Sequence, residues 1–337
     1  MKKFNTGVKL LTAAALVTNT AYAMSGKHSG SVETRVDYQY TDGDADKGGS
    51  RNTARFQVQA ARLNLKGSLP GDIGYRFRWR LHKAATPRVS DNTSSNVDLA
   101  YITKSFNKHF SLRAGRDFLS IGGWDFDPAL SDNYLESSFV AGVSTYATGI
   151  SLRGSVANQS INLDIKNSQV DDARQSRLAI GVGWYGNIAD MVYPNVSFHT
   201  EGISGAKNDA RRTIMAVGAR VTLMNLVKIE GEYSTYTDES GTTADKDDKT
   251  QSIVFKAKLT HDNFRPHIKF FMDEVEVSDE KTKEITGLVI ALEYYPDAKS
   301  SHRWHLAYTM KDTDNTTGDD PTETSIIIGT KMDIDIM

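Results

Sequence analysis

The residues with the most chemical potential in this chain are three arginines at alternate positions, Arg76, Arg78 and Arg80. They lie in Ile73-Gly74-Tyr75-Arg76-Phe77-Arg78-Trp79-Arg80-Leu81-His82, where Ile73, Tyr75, Phe77, Trp79 and Leu81 take the other parity. A period of two marks a β-strand whose faces meet different surroundings. In a soluble sandwich the apolar face would point into a dry core and the guanidinium groups into solvent. In a membrane barrel the apolar face would meet lipid, and the arginines would line an aqueous lumen and draw in anions. A wall neutralised by facing acids is the third possibility.

The same kind of face carries Arg113, Arg153, Arg177, Lys256, Lys258, Arg265, His267, Lys269 and Arg303. Acids on such faces (Glu33, Asp98, Asp164, Glu230, Glu232) look fewer. The formal net charge of −2 therefore hides a segregation, because acids crowd the intervening segments. Asp42, Asp44 and Asp46 lie in one; Asp171 and Asp172 in another; Asp238, Glu239, Asp245, Asp247 and Asp248 in a third; Asp312, Asp314, Asp319 and Asp320 in a fourth. Unpaired arginines would be prohibitive in a dry core, whereas in a wet lumen they set a positive potential. This reading assigns anion guidance to Arg76, Arg78, Arg80, Arg113, Lys256, Lys258, Arg265 and Lys269 as pore-lining residues.

The elements that must position these side chains are strands. Alternating or β-rich segments run over 31–40, 54–66, 73–83, 96–104, 110–117, 143–156, 160–166, 176–186, 194–201, 211–224, 227–237, 251–260, 264–275, 285–295, 302–311 and 324–336. That makes sixteen, or fourteen if 160–166 and 194–201 do not cross a membrane. Connections 41–53, 84–95, 118–142, 167–175, 202–210, 238–250, 276–284 and 312–323 are long and polar, and those between them are mostly short. A soluble sandwich has no reason to sort its connections in this way. An up-and-down antiparallel transmembrane barrel does, with short turns in the periplasm and long loops outside. Tyr38, Tyr40, Trp184, Tyr233, Tyr294, Tyr295, Trp304 and Tyr308 are candidates for the interfacial aromatic girdles.

Residues 1–23 read as a cleaved signal peptide: Lys2, Lys3 and Lys9, then an apolar run over 10–17, then Ala21-Tyr22-Ala23. That leaves residues 24–337 as a single outer-membrane β-barrel domain of a Gram-negative cell. Mean hydropathy is −0.44, and no stretch reaches the ~18 apolar residues of a membrane helix. Cysteine is absent and proline is scarce at 7, so no disulfide framework steadies an exported chain.

The run Ala61-Arg62-Leu63-Asn64-Leu65-Lys66-Gly67-Ser68-Leu69-Pro70-Gly71-Asp72-Ile73-Gly74-Tyr75-Arg76-Phe77 resembles a hairpin of phosphate-selective porins of the O/P type. Val97-Asp98-Leu99-Ala100-Tyr101-Ile102 and Phe110-Ser111-Leu112-Arg113-Ala114-Gly115-Arg116-Asp117-Phe118 resemble that family's next hairpin, which leads into the third loop. The resemblance covers about residues 55–125. It implies a sixteen-stranded homotrimeric channel, a third loop folded into the lumen and an arginine ladder that leads anions to it. The third loop here, 118–142, has no Lys or Arg and carries Asp125, Asp127, Asp132 and Glu136. An acidic loop facing a basic wall is similar to the transverse-field eyelet of general diffusion porins. The chain ends in Met337, where many such barrels end in an aromatic residue.

Within that loop, Gly122-Gly123-Trp124-Asp125-Phe126-Asp127-Pro128 is the constriction candidate. Its glycines permit tight backbone, its aromatics can pack on the wall, and Asp125 and Asp127 would oppose the basic face. An external turn at Asp127-Pro128 is the plainer alternative. No Gly-x-Ser-x-Gly elbow, phosphate loop or His-Glu-x-x-His motif occurs. His302 and His305 fall on opposite faces of a strand and make a poor metal pair, while Ser197, His199 and Ser204 are residues to watch. The sequence thus predicts a porin for passive diffusion of small hydrophilic solutes, leaning toward anions, with no catalysis, metal or cofactor. Outer-membrane lipid and small anionic or polar solutes are the expected partners, and nucleic acid is not. A weakly selective general porin and a non-conducting structural or adhesive barrel are the alternatives.

Overall fold

A computed structural model of the chain describes residues 26–43, 52–83, 94–126, 132–168, 178–202, 211–239, 247–316, 318 and 320–337. Residues 1–23, Asp127, Arg177, Ser204 and the acids at 44, 46, 171, 172, 245 and 319 lie outside the described residues. Sixteen antiparallel strands close on themselves, each paired with its sequence neighbours and the last with the first. They are β1 (His28–Gly43), β2 (Thr53–Leu69), β3 (Ile73–Arg80), β4 (Val97–Ser105), β5 (Phe110–Phe118), β6 (Tyr146–Val156), β7 (Gln159–Asn167) and β8 (Leu178–Tyr185). β9 (Val192–Gly202), β10 (Arg211–Leu223), β11 (Val227–Glu239), β12 (Asp247–Leu259), β13 (Phe264–Val277), β14 (Glu280–Tyr294), β15 (Arg303–Asn315) and β16 (Thr322–Asp335) complete the wall. β7 and β9, the two segments in doubt, are both wall strands, so the count is sixteen. Closure leaves no sheet edge, which in lipid would strand backbone N–H and C=O groups at several kcal/mol each.

Alternation decides which way each side chain points. On β8 and β9 the exposed positions are Leu178, Ile180, Val182, Val196 and Phe198, and the buried ones between them include Ala179, Ser197 and His199. An apolar exterior around a polar interior reverses the usual soluble arrangement. It is the pattern of a barrel whose solvent on the outside is lipid. Short turns join β2–β3, β6–β7 and β10–β11 through left-handed residues at Asp72, Ala157-Asn158 and Met224-Asn225.

Two expectations are corrected by the fold. Segment 276–284 is not a long loop: β13 and β14 run on to a two-residue turn at Ser278-Asp279, both with positive φ. Alternation alone could not find that turn, because Glu280, Lys281, Lys283 and Glu284 make the start of β14 polar on both faces. Tyr295 is not a girdle residue either. It is buried, with the Arg265 guanidinium 3.7 Å over its ring.

The connection between β5 and β6 meets the inner wall. It contains one short helix, α1 (Ser138–Gly142), whose N-cap Ser137 side chain accepts from the Val140 amide. Leu119, Ile121, Phe139, Val140 and Val143 cluster with Ala179 of β8 and Ile214 of β10. Farther along, Tyr134 and Leu135 pack on Val289, Ala291, Ala307 and Ile327 of β14–β16, and Leu135 also on Val254 and Phe271. This apolar patch inside an otherwise polar barrel seats the connection, at roughly 25 cal/mol per Å² buried.

Candidate functional site: a charged lumen under an inward connection

Lys256 on β12 and Lys269 on β13 face each other across the register and would repel if left alone. Asp125 enters between them, its Oδ1 3.0 Å from Lys256 Nζ and 2.8 Å from Lys269 Nζ. Burial alone would raise the Asp125 carboxyl, but the charges of Lys269 and Lys256, with bonds from Lys269 and Ser137, outweigh it and hold it down at about 2. In return, the wall's Glu232 accepts the Asp125 amide at 3.1 Å. Gly123 is required there: with φ at +152°, a Cβ would lie 2.5 Å from Glu232 Oε1. Asp132 is clamped similarly, 2.7 Å from Arg303 and 2.8 Å from Lys331; burial is again outweighed by these cations, and the carboxyl sits at about 2.

The sequence expectations for the wall need correction. Arg78 and Arg80 do point inward, but both bind Asp98, at 3.1 and 2.6 Å, and Arg78 also donates to the Tyr146 hydroxyl. Arg113 is paired with Asp117 at 2.5 Å, Lys258 with Glu293 at 2.8 Å, and Lys256 and Lys269 with Asp125. Acids are not fewer than bases: among the described residues, ten carboxylates and nine Lys or Arg side chains are buried. Asp125 is itself buried, so it joins a direct ion pair and does not oppose the basic wall across an open gap. The reason is register: like charges such as Lys66 and Arg76, or Arg62 and Arg80, stand directly opposite on β2 and β3, and such pairs are tolerated only with counter-charge or water between them.

Cations outnumber acids around three of the open spaces, whereas a smaller one at β11–β14 is lined by Asp273, Glu274 and Glu284. Under the connection on the β10–β15 side lies a cavity of about 360 Å³. Its lining holds seven Lys or Arg side chains, among them Arg220, Lys228, Lys258 and Arg265, against the carboxylates of Asp132, Glu230 and Glu293. On the β3–β9 side a second cavity, about 430 Å³, is lined by Arg76, Arg113 and Arg153 and, among the described residues, by no carboxylate. Arg76 and Arg113 continue into a third hollow with Lys27 and Lys66, again without an acid among the described residues. The guanidinium of Arg220 lies 3.8 Å over the ring of Trp124. That stack joins the tip of the connection to β10.

Arg220, Lys228, Glu293 and Asp117 belong to this site without standing out in the sequence, and Tyr295 stands out there only as a girdle candidate. Parity points to Asp117 beside Arg113 and to Glu293 beside Val289 and Ala291. The Trp124–Arg220 stack has no local signal. The watched Ser197 and His199 are buried in the wall, and His199 lies over Gly181, where a Cβ would overlap its ring. His305 points inward to Asp37 at 2.9 Å, while His302 packs against the outward Trp304.

The family described as phosphate-selective porin O and P matches residues 31–165. The trimer form of the outer-membrane protein OmpT of Vibrio cholerae has the same fold, with a TM-score of 0.67 at 8% identity over 92% of this chain and 99% of that one. The outer-membrane channel DcaP of Acinetobacter baumannii gives 0.69 at 13% identity over 92% and 97%. An anion-selective porin from Comamonas acidovorans gives 0.62 at 12% identity over 92% and 100%. No curated protein matches the sequence. With its sixteen-stranded closed barrel the chain has the fold of outer-membrane porins, and over residues 31–165 it is similar to the phosphate-selective porin O and P family.

Proposed function

We propose that this porin passes small hydrophilic solutes by passive diffusion and favours anions, and that it does so as a channel and not as an enzyme. One observation carries the preference: most buried carboxylates of the lumen are held in ion pairs, while the hollows beside the connection are lined by an excess of Lys and Arg. A cation bordering water in a narrow, low-dielectric channel raises the local anion concentration. Arg76, Arg113, Lys258 and Arg265 border those hollows and remain guidance residues; Arg78 and Arg80 contribute one charge between them, because they share Asp98. The constriction is formed by Gly122, Gly123, Trp124 and Asp125, seated by the Asp125 clamp. Likeness in fold to the anion-selective Comamonas porin supports the same preference.

The reading extends to export by a signal peptide cleaved after Ala23, with the mature chain beginning at Met24, and to a homotrimer in the outer membrane. The trimer form of the Vibrio protein supports the latter. Refolded protein in a planar bilayer tests the function. Discrete conductance steps that inorganic phosphate reduces support a phosphate-like preference. Steps without block favour a weakly selective general porin, and silence favours a structural barrel.

A further inference from the structure

The cavity on the β3–β9 side is the most aromatic of the three as well as cationic. Its walls combine Arg76, Arg113 and Arg153 with Tyr101, Trp124 and Tyr185, and Phe118 and Phe126 close it from the connection. Asp117 is the carboxylate beside these guanidinium groups, and it accepts from Arg113 and Arg153 at 2.5 and 2.9 Å. Arg113 is held 4.0 Å over the Tyr101 ring. Arg76 stands opposite Tyr101 on the neighbouring strand.

Several polar atoms here are buried without a hydrogen-bond partner: Nε of Arg76, Nε of Arg153, Nε1 of Trp124 and Oδ1 of Asn195. Three of these four are donors, and they belong to side chains that line one hollow. Buried donors left unmatched cost about 1–3 kcal/mol each, so a small turn of these side chains toward an acceptor in the hollow they line would be favourable. Water could accept, yet water makes poor use of the aromatic surface beside them. A planar acceptor attached to a ring uses both.

We infer that this cavity is a binding subsite for small aromatic carboxylates, a proposal that rests on the channel reading above. The carboxylate would be gripped by the Arg76 guanidinium, whose planar fork matches it. The ring would lie among Tyr101, Trp124 and Tyr185, where cation–π and stacking partners are already in place. At about 430 Å³ the hollow falls within the ordinary range for small-molecule sites. It also opens along Arg76 and Arg113 toward Lys27 and Lys66, so a bound solute would have a basic path onward.

The test compares benzoate, acetate and inorganic phosphate as blockers of chloride current through the refolded protein. Benzoate should reduce the current at a concentration at least tenfold below acetate and below phosphate, and Arg76→Gln should raise that concentration at least tenfold. Equal block by benzoate and acetate would overturn the subsite while leaving an anion channel intact. A second readout does not need conduction. Benzoate should change the tryptophan fluorescence of the folded barrel in a saturable way, and Trp124→Phe should abolish the change. If the barrel is silent in the bilayer, the channel reading fails and this titration still decides the subsite: no saturable change, or one that survives in Trp124→Phe, overturns it.

Discussion

Asp125, on the connection between β5 and β6, and Lys269, on β13, form a buried ion pair of 2.8 Å that ties the middle of that connection to the far wall. Lys256 makes the same carboxylate a three-charge knot. With Glu232 accepting from the connection's own backbone, charges are exchanged in both directions. The position of the connection, and with it the width left for solutes, depends on that exchange.

Replacing Asp125 by Asn should therefore loosen the connection. A buried ammonium group, Lys269, and a half-buried one, Lys256, would lose their shared counter-charge, and breaking a buried pair typically costs about 3–5 kcal/mol. The expected result is larger and noisier single-channel conductance, with the barrel still folded. Conductance indistinguishable from the parent would mean that the apolar seat of Leu135 and Phe139 suffices.

Acid should act on the same knot, and the sign follows from the carboxyl groups. Asp125 and Asp132 sit at about 2 in the folded chain, below the ordinary 3.8. Their pairing therefore contributes fully above about pH 4 and is lost as pH falls through about 2. Conductance should be steady from neutral pH to about 4.5 and become unstable between about 4 and 2. A transition near pH 6 would point to a different group, such as a histidine.

Gly181 should resist substitution and Gly231 should tolerate it. A Cβ at 181 would overlap the His199 ring, whereas at 231 it meets nothing within 4 Å. Gly181→Ala must displace a buried ring, a shift that costs about 1–3 kcal/mol. Thermal unfolding of the detergent-folded barrel, followed by circular dichroism, should show a lower midpoint for Gly181→Ala than for Gly231→Ala.

The wall was legible in the sequence because lipid and water impose opposite demands on successive residues. Ile73 to Leu81 reads as a strand from its alternation alone, and the arginines on it do point inward. Their partners were not legible. Which carboxylate meets Arg80 depends on how β3 registers against β4, and a bulge between Arg78 and Trp79 alters that register. The basic face of β12 and β13 looked free because its counter-charge comes from Asp125, more than a hundred positions earlier. Tyr295 resembled a girdle residue because an aromatic at a strand end has two places to go. Arg265, thirty positions away in the chain, draws it inward.

The most direct test of the central claim is the reversal potential of the refolded porin in a KCl gradient at neutral pH. Excess cations around the hollows beside Trp124 predict a potential set by chloride, diminished when Arg76 is replaced by Ser. A potential set by potassium, or one that does not respond to that substitution, would contradict the account.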